Sequence, residues 1–431
     1  MSDHRHPRLR YILKVAAEEL GWRIQLFIDR AKWRAAPTDY RVSFAATATD
    51  DRCLCYQPHP LLSGRPPAAG DLVVTPAAGL PTFFPTPGGA YDPLACAFYA
   101  IVRYEEYAPF TADAHGRFPA AASHARRHGY LGRPVVRLWL RDWAARLRAH
   151  YPTLPAPRTP DWTVRPTYDI DLLWAWRHRG WRGLAAGVRD LGRGHFRRAW
   201  DRFAPGADPF DTIALLQSLH LRQRLQPTFF WLLSDRRDRH DVNPYPIPEA
   251  QRAVMRQLAA AHTVGLHPSY RTVDNAELIR TEAARFAEAV GRAPRHARQH
   301  FLRLRLPDTY RALRDAGITH DHTMGYADAI GWRAGTNRPF RWYDLEREEE
   351  TGLTVHPFAA MDVTLKNYLG LDAAGAQRAV RDLAAAVRPL GGEFALLWHN
   401  SSFSAAYGWA GWWAAYADLL AALATEGGTG P

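Results

Sequence analysis

The chain has 431 residues, of which 47% are hydrophobic and 23% charged, the balance of a globular protein with a large core. Its net charge of +12 comes almost entirely from dispersed arginines, because only three lysines are present, and no nucleic-acid-binding motif accompanies it. We therefore expect no nucleic-acid partner. No stretch reaches the roughly 18 apolar residues of a membrane span, and no secretory signal is visible, so the expected location is cytoplasmic or peripheral to a membrane.

The first part of the chain predicts a small α/β domain. Helical spacing in "RLRYILKVAAEELGWRI" is followed by short β-prone pieces between proline- and glycine-rich turns. A helix is predicted over "DPLACAFYAIVRYEEY", with Asp92 as N-cap and Pro93 in its first turn. The polar segment "DAHGRF" (113–118) is able to reach into a site, with an ordinary surface loop as the alternative.

After a proline-rich stretch at 152–162, β-prone runs alternate with helical ones. We predict strands near 163–169, 227–234, 263–268, 296–302, 318–324, 353–358 and 393–399. About seven β/α units fit a closed or partly closed barrel better than a doubly wound sheet, because no glycine-rich phosphate loop follows the first strand. The predicted domains are residues 1–155 and 156–431. A basic segment, 177–206, interrupts the pattern as a lid, a membrane-surface patch or a solvated helical pair.

Two carboxylates follow the first of these strands, in "TYDID". Asp169 and Asp171 project to the same side of a strand, because side chains alternate between its faces. Like charges this close raise each other's proton affinity unless a cation lies near them. A metal ion removes this conflict, since one carboxylate can bind it while the other acts as a general base. The alternative is a helix N-cap cluster.

Other polar side chains stand at the ends of later predicted strands. His267 is a suitable ligand for a metal such as zinc, and Ser269 and Tyr270 after it can donate hydrogen bonds to an oxyanion. Arg298 and His300 share a strand face, which places a cation beside a possible ligand. His399 ends the last apolar run, where an imidazole can protonate a leaving amine. Chemistry gathered at strand ends is typical of β/α barrels.

Together these residues resemble the motifs of the polysaccharide deacetylases, carbohydrate esterase family four, also called the chitooligosaccharide deacetylase homology domain. "TYDID" is similar to the family's Thr-Phe-Asp-Asp with one inserted residue, and "LLWHN" to its Leu-x-His. The second motif, His-Ser/Thr-x-x-x-His, is matched only at His267, because Arg271 replaces the second histidine. The segments "RQHFLRL" and "DHTMGYADAIGWRAGTNRPF" resemble a branch that carries an N-terminal domain of unknown function.

The resemblance implies a distorted (β/α)7 barrel and a divalent metal, usually zinc. It implies that Asp169 is the base and that Asp171 and His267 are metal ligands, with His300 as the replacement ligand. It also implies that Arg298 holds the base, that His399 is the general acid, and that Asp321 and Arg333 contact the substrate. The alternative for Arg333 is an ion pair with a buried acid such as Asp328 or Asp344.

The function predicted from these residues is removal of an N-acetyl group from an acetamido sugar of a surface polysaccharide or its nucleotide- or lipid-linked precursor. One alternative is a catalytically inactive glycan-binding barrel, which the missing second histidine favours. Another is an esterase acting on O-acyl groups, because acyl transfer to water needs the same residues. The sequence leaves the sugar, the acyl group and the oligomeric state open.

Overall fold

The computed structural model describes residues 6–44, 53–87, 89–177 and 208–425, together with residues 185, 188–189 and 191–194. The basic segment 177–206 therefore lies almost wholly outside the described residues, and so does the choice between its three interpretations. None of the helices in the described ranges combines the length and the apolarity that crossing a membrane requires.

The N-terminal part is a small α/β arrangement, as predicted. Its helices are α1 (Pro7–Leu20), α2 (Arg30–Arg34), α3 (Pro93–Ile101), α4 (His124–Arg127) and α5 (Val135–His150). Its strands are a parallel pair, β1 (Val42–Ser43) and β2 (Leu54–Cys55), and an antiparallel pair, β3 (Thr75–Ala77) and β4 (Leu80–Thr82). Asp92 caps α3 as expected, since its Oδ1 accepts hydrogen bonds from the N–H groups of Leu94 and Ala95.

Nine strands of the described C-terminal part form one sheet. They are β5 (Trp162–Ile170), β6 (Thr228–Leu232), β7 (Thr263–His267), β8 (His296–Ala297), β9 (His320–Asp321), β10 (Phe340–Asp344), β11 (Glu349–Val355), β12 (Ala360–Met361) and β13 (Gly392–His399). Their order across the sheet is β10-β11-β9-β8-β7-β6-β5-β13-β12. All neighbours run parallel except β10 and β11.

The strands β5, β6, β7, β8, β9 and β11 lie side by side in chain order. The last strand, β13, pairs with β5, the first strand of this sheet, so the order follows that of a barrel. β13 pairs with β5 from Gly392 opposite Trp162 to His399 opposite Asp169. Among the described residues no ladder joins β11 to β12, so the ring opens there. The helices of this part are α6 (Ile213–Gln223), α7 (Glu249–Ala261), α8 (Ala276–Val290), α9 (Asp308–Asp315), α10 (Ala373–Val387) and α11 (Trp412–Thr425). The architecture is that of a distorted β/α barrel, as predicted.

Two predicted strands are shorter than expected, and β10 and β12 were not predicted. The run 296–302 forms a strand only over His296–Ala297, and 318–324 only over His320–Asp321. After Ala297 the backbone turns, and a 3₁₀ turn follows over His300–Leu302. Arg298 and His300 therefore do not share a strand face. Short polar strands with two-residue ladders give too little alternation for a sequence pattern to define their ends.

The N-terminal part packs directly on the barrel. Arg8 of α1 donates to both carboxylate oxygens of Glu348, with Nε 3.0 Å from each. Arg137 of α5 donates to the Asn337 side chain at 2.7 Å and to the backbone oxygen of Gly391 at 2.6 Å. The apolar core is continuous across this contact. A boundary at residues 155 and 156 remains a prediction.

The barrel interior holds four histidines that we call the lower cluster: His296, His320, His322 and His356. The rings of the first two stack at 4.4 Å and those of the last two at 4.3 Å. His296 Nδ1 lies 3.1 Å from His322 Nε2, and His320 Nδ1 lies 3.0 Å from His356 Nε2. Because His356 Nδ1 is 3.7 Å from Glu393 near the start of β13, the lower cluster lies toward the N-terminal end of that strand.

Candidate metal centre

The opposite end of β13 meets the end of β5. Thr167, Asp169 and Asp171 alternate with Tyr168 and Ile170, which pack into the main core with the helices. The register places His399 opposite Asp169. The carboxyl ends of the first and last strands therefore present two carboxylates and an imidazole to the same space, as the sequence predicted for a barrel of this kind.

Asp171, His267 and His300 come together in that space. Asp171 Oδ1 lies 3.3 Å from His267 Nε2, and Asp171 Oδ2 lies 3.6 Å from His300 Nε2. One ligand atom from each residue can be chosen so that all three lie within 4.8 Å of one another. These three residues can therefore hold a metal ion, although they are far apart in the sequence.

Two of these ligand atoms are buried and unsatisfied. Neither Asp171 Oδ1 nor His267 Nε2 has a hydrogen-bond partner within the described residues, although they face each other at 3.3 Å. Buried polar atoms rarely stay unpaired, because losing water without a replacement costs about 1–3 kcal/mol. Ligand atoms about 2.0–2.2 Å from one tetrahedral zinc ion stand about 3.3–3.6 Å apart. The 3.3 Å between Asp171 Oδ1 and His267 Nε2 matches this spacing. The donor set fits a divalent metal.

The remaining nitrogen of each imidazole is fixed from behind. His267 Nδ1 lies 2.5 Å from the backbone oxygen of Arg298, to which its N–H donates. His300 Nδ1 lies 2.9 Å from Oδ1 of Asp241, a carboxylate with 0% exposure. With Nδ1 protonated in both rings, the Nε2 lone pairs face Asp171. Such partners orient ligand histidines and raise their basicity.

The charges of these groups are strongly coupled. Burial raises the pKa of Asp171, but the imidazoles of His300 and His267 outweigh it and hold that pKa well below its usual value. Burial lowers the pKa of His300, while Asp171 and Asp241 raise it to about 9. Asp171 therefore stays ionised as a ligand must, and a metal competes with a proton for His300.

Asp169 is held by Arg298. Arg298 Nη1 donates to Asp169 Oδ1 at 2.9 Å, and its Nη2 donates to the Thr167 hydroxyl at 2.7 Å. Arg298 is fully buried, and its Nε donates to the backbone oxygen of His322 at 2.9 Å. The second oxygen, Asp169 Oδ2, faces His267 Nε2 at 3.6 Å. Asp169 Oδ1 is thus bound by Arg298, and Asp169 Oδ2 faces His267, one of the candidate ligands.

His399 is held by a carboxylate from β12's end. Asp362, with 0% exposure, accepts from His399 Nδ1 at 2.9 Å and from the His399 backbone N–H at 2.7 Å. His399 Nε2 points toward Asp171 Oδ2, 3.9 Å away. Burial lowers the pKa of His399, but Asp362 and Asp171 raise it to about 10. The imidazole is therefore a proton carrier aimed at the candidate ligands.

Ser269 and Tyr270 lie beside this centre, and the backbone N–H group of each is already engaged. The N–H of Ser269 donates to Glu282 at 2.9 Å, and the N–H of Tyr270 donates to Asp241 at 3.0 Å. The Tyr270 hydroxyl lies 3.2 Å from Nδ1 of His115. An oxyanion contact from a backbone N–H near Ser269, which the sequence suggested, is not available in this arrangement.

Asp321 and Arg333 are not brought to the centre. Asp321 is fully buried and accepts from the Tyr310 hydroxyl at 2.8 Å, because its side chain faces α9. Arg333 is 2% exposed and makes two hydrogen bonds to Glu106 of the N-terminal part, at 2.9 and 2.6 Å. The acid that pairs with Arg333 is therefore Glu106 rather than Asp328 or Asp344.

The sequence reading missed two residues of the centre, Asp241 and Asp362. Asp362 follows the apolar run "PFAAM", so the same strand-end signal that singled out the other candidates was present there. Asp241 stands in "DRRDRHDVNP", where nothing in the pattern separates it from Asp235 and Asp238.

Comparisons with known proteins bear on both parts of the chain. Residues 1–152 match a family model described as "Family of unknown function (DUF7033)". No curated protein matches the chain in sequence.

Solved structures resemble the C-terminal part. One, assigned as a polysaccharide deacetylase from Mycobacterium smegmatis, has 16% identity and a TM-score of 0.40 over 63% of this chain and 87% of that chain. A likewise assigned protein from Pseudomonas aeruginosa PAO1 has 13% identity and a TM-score of 0.38 over 62% and 87%. A family 4 carbohydrate esterase from Streptomyces lividans, in complex with acetate, has 12% identity and a TM-score of 0.29 over 62% and 88%.

Similarity at this level identifies no substrate. The comparisons return the family that the sequence motifs resemble: the C-terminal part is similar to polysaccharide deacetylases of carbohydrate esterase family four, and residues 1–152 are similar to a family of unknown function.

Proposed function

We propose that this protein is a metal-dependent hydrolase that removes an N-acetyl group from an acetamido sugar of a surface polysaccharide or its precursor. The observation that carries the proposal is the convergence of Asp171, His267 and His300 with two buried, unsatisfied ligand atoms. An arginine-held carboxylate and a carboxylate-held imidazole flank the same space. Metal-assisted amide hydrolysis uses this combination of metal ligands, a general base and a general acid.

The metal is proposed to be zinc, because two imidazoles and one carboxylate are a donor set that zinc favours in catalytic sites. When bound there, zinc lowers the pKa of water and polarises a carbonyl oxygen. His267 and His300 are pre-oriented for this ion by the Arg298 carbonyl and Asp241. Pre-orientation reduces the loss of side-chain freedom on binding.

Asp169 is the proposed general base. Arg298 donates to one of its oxygens at 2.9 Å, which leaves the other oxygen to accept a proton from the attacking water. Asp169 is 2% exposed, so bulk water does not screen this pair.

His399 is the proposed general acid. Asp362 fixes its Nδ1 and leaves Nε2–H directed at the space between the two strand ends. A proton donated from Nε2 to the departing nitrogen turns a poor leaving group, an amide anion, into a neutral amine. The raised pKa of this imidazole keeps the proton in place until it is needed.

The proposal also covers the substrate, the acyl group that is removed and the location of the reaction. An N-acetylated sugar on a nucleotide or lipid carrier, handled in the cytoplasm, is the substrate that the sequence predicts. One alternative is an O-acyl esterase, which needs the same catalytic groups. The other is an inactive glycan-binding barrel, which keeps the fold but binds no metal.

The experiment measures metal content and acetate release from purified full-length protein. We expect about one zinc per chain and release of acetate from an N-acetylglucosamine oligomer. Asp171→Asn is expected to lose both, because the amide is a poor ligand for zinc. The matched control is Asp211→Asn, which alters an exposed carboxylate paired with Arg177.

The outcomes separate the alternatives. Acetate release from O-acetylated glycan alone identifies an esterase. A folded, zinc-free chain that binds glycan and releases no acetate identifies the inactive barrel, and either result overturns the proposed N-deacetylation.

A further inference from the structure

The N-terminal part contributes a rigid turn, residues 113–117, to the neighbourhood of the candidate metal centre. Asp113 organises this turn: its Oδ1 accepts the N–H groups of His115 and Arg117, both at 2.9 Å, and its Oδ2 accepts Arg117 Nε at 2.7 Å. The Asp113 N–H donates in return to the Arg117 carbonyl at 3.1 Å. The turn is thus held by its own hydrogen bonds, independently of the barrel.

This turn holds the segment that follows His300. Arg117 Nη1 donates to the Phe301 carbonyl at 2.9 Å, and Arg303 Nε donates to the His115 carbonyl at 2.8 Å. These two bonds run in opposite directions and fasten both ends of a three-residue stretch.

The fastened stretch has an unfavourable backbone. Phe301 and Leu302 have φ values of 59° and 55°, the left-handed region that bulky residues rarely adopt. Two consecutive residues of this kind persist only when the surrounding structure imposes them. The conformation matters because it begins at His300, whose imidazole faces Asp171.

The turn also reaches the opposite flank of the centre. Arg117 Nη2 donates to the hydroxyl of Tyr368 at 2.9 Å, and Tyr368 ends a helical turn, Thr364–Tyr368, that follows Asp362. On the first flank, the His115 ring lies 4.9 Å from the Phe301 ring, which lies 4.8 Å from the His300 ring. A single guanidinium therefore connects the segments that carry the third candidate ligand and the carboxylate behind His399.

We propose that the turn 113–117 is part of the metal centre, and that Arg117 is a positioning residue that holds His300 in its ligand geometry through the Phe301 carbonyl. This inference rests on the proposed function, because it takes His300 as a ligand. It assigns a role to the part of the chain that matches a family of unknown function: that part completes the barrel's site.

The test measures zinc affinity in the full-length chain by competition with a chelator. Arg117→Ala is expected to weaken zinc binding about tenfold, the lower end of the effect of losing an outer partner of a ligand. Arg117→Lys keeps the charge but cannot make three directed hydrogen bonds, so it is expected to weaken binding less. The matched control, Arg133→Ala, removes an arginine whose Nη1 bonds a carbonyl within the N-terminal part, that of Gly79.

A second readout follows the coordination itself. Cobalt replaces zinc, and its visible absorption reports the number and type of ligands. We expect the spectrum of Arg117→Ala to move toward that of His300→Gln, while Arg133→Ala keeps the wild-type spectrum. A merely structural role of Arg117 lowers the melting temperature without changing the spectrum of the folded fraction.

The outcomes are distinguishable. Wild-type affinity and spectrum in both Arg117 variants, together with loss of binding in Asp171→Asn, overturn this inference and leave the proposed function standing. Binding by Asp171→Asn that equals wild type overturns both. If Arg117→Ala does not fold, Arg117→Lys decides on the same two readouts.

Discussion

The two ends of the barrel interior both collect histidines, yet they surround them differently. At the carboxyl end of the strands, His300 and His399 each have a fully buried carboxylate behind Nδ1, and their pKa values rise to about 9 and about 10. In the lower cluster His296 and His320 contact other imidazoles, while Glu393 lies 3.7 Å from His356. Burial and neighbouring histidines lower the pKa of His296 to about 3 and that of His320 to about 4.

The difference shows that burial lowers the pKa of all four histidines, and that carboxylate partners reverse the direction for His300 and His399. Glu393 and His399 are both on β13, and at about 3.3 Å per residue they are about 20 Å apart, so the two groups titrate in separate surroundings. A carboxylate stabilises imidazolium and fixes a tautomer, whereas an imidazole partner penalises the charged form. We expect the upper group to act on protons and metals, and the lower cluster to serve as neutral packing.

The sharpest way to test this contrast is to remove a histidine from each end. His399→Gln is expected to lower kcat by about 10²–10⁴-fold, because the leaving amine loses its proton donor, while zinc content stays unchanged. His296→Gln removes an imidazole of the lower cluster and is expected to leave kcat unaffected. Steady-state kinetics with metal analysis decides, and a similar kcat loss in both variants would show that the ends do not differ in function.

A second prediction concerns the carboxylate behind a ligand. Asp241→Asn is expected to weaken zinc binding by about 10–100-fold, because His300 loses the partner that orients it and raises its basicity. Asp238→Asn is the matched control, since Asp238 lies in the same loop and accepts only backbone N–H groups. Chelator competition measures both, and equal affinities in the two variants would contradict the role of Asp241.

The smallest expected effect lies in the lower cluster. A histidine of the unfolded chain titrates near pH 6.5, and the folded pKa of His296 is about 3, so only the unfolded chain takes up this proton as the pH falls between these values. Stability is therefore fully present above about pH 6.5 and declines below it, by about 2 kcal/mol per such histidine at pH 5.

Replacing that histidine is expected to blunt the decline. Denaturant unfolding at pH 7.5 and pH 5 is predicted to show a smaller loss for His296→Gln than for the unmodified chain, while exposed His150→Gln behaves like the unmodified chain. An unchanged acid sensitivity in His296→Gln would mean that the lower cluster does not resist protonation.

Much of the barrel was predictable from the sequence, because long apolar strands produce a clear pattern of hydrophobic residues. The β5, β7 and β13 runs end in Asp169, His267 and His399, and the observed strands match the predicted ranges within a few residues. Strand ends singled out Asp169, Asp171 and His267, and the family resemblance implied that Asp171 and His267 are metal ligands. The structure brings these two side chains to 3.3 Å.

The rest depended on long-range contacts that no local pattern encodes. His300 reaches the centre from a 3₁₀ turn with left-handed residues, a conformation held by long-range contacts that include the Arg117 bond to the Phe301 carbonyl. Arg333 was expected near a substrate but is paired with Glu106, because a buried guanidinium requires an acid and the nearest one comes from the N-terminal part.

The pairing of β13 with β5 also bears on when activity can arise. Asp169, the proposed base, lies near the end of the first strand of the barrel to be synthesised, and His399, the proposed acid, lies opposite it at the end of the last strand. A nascent chain that has delivered every other strand still lacks both the acid and the neighbour that β5 needs along its whole length. Under the proposed function, competence to react therefore arises only after β13 has been synthesised and has paired with β5.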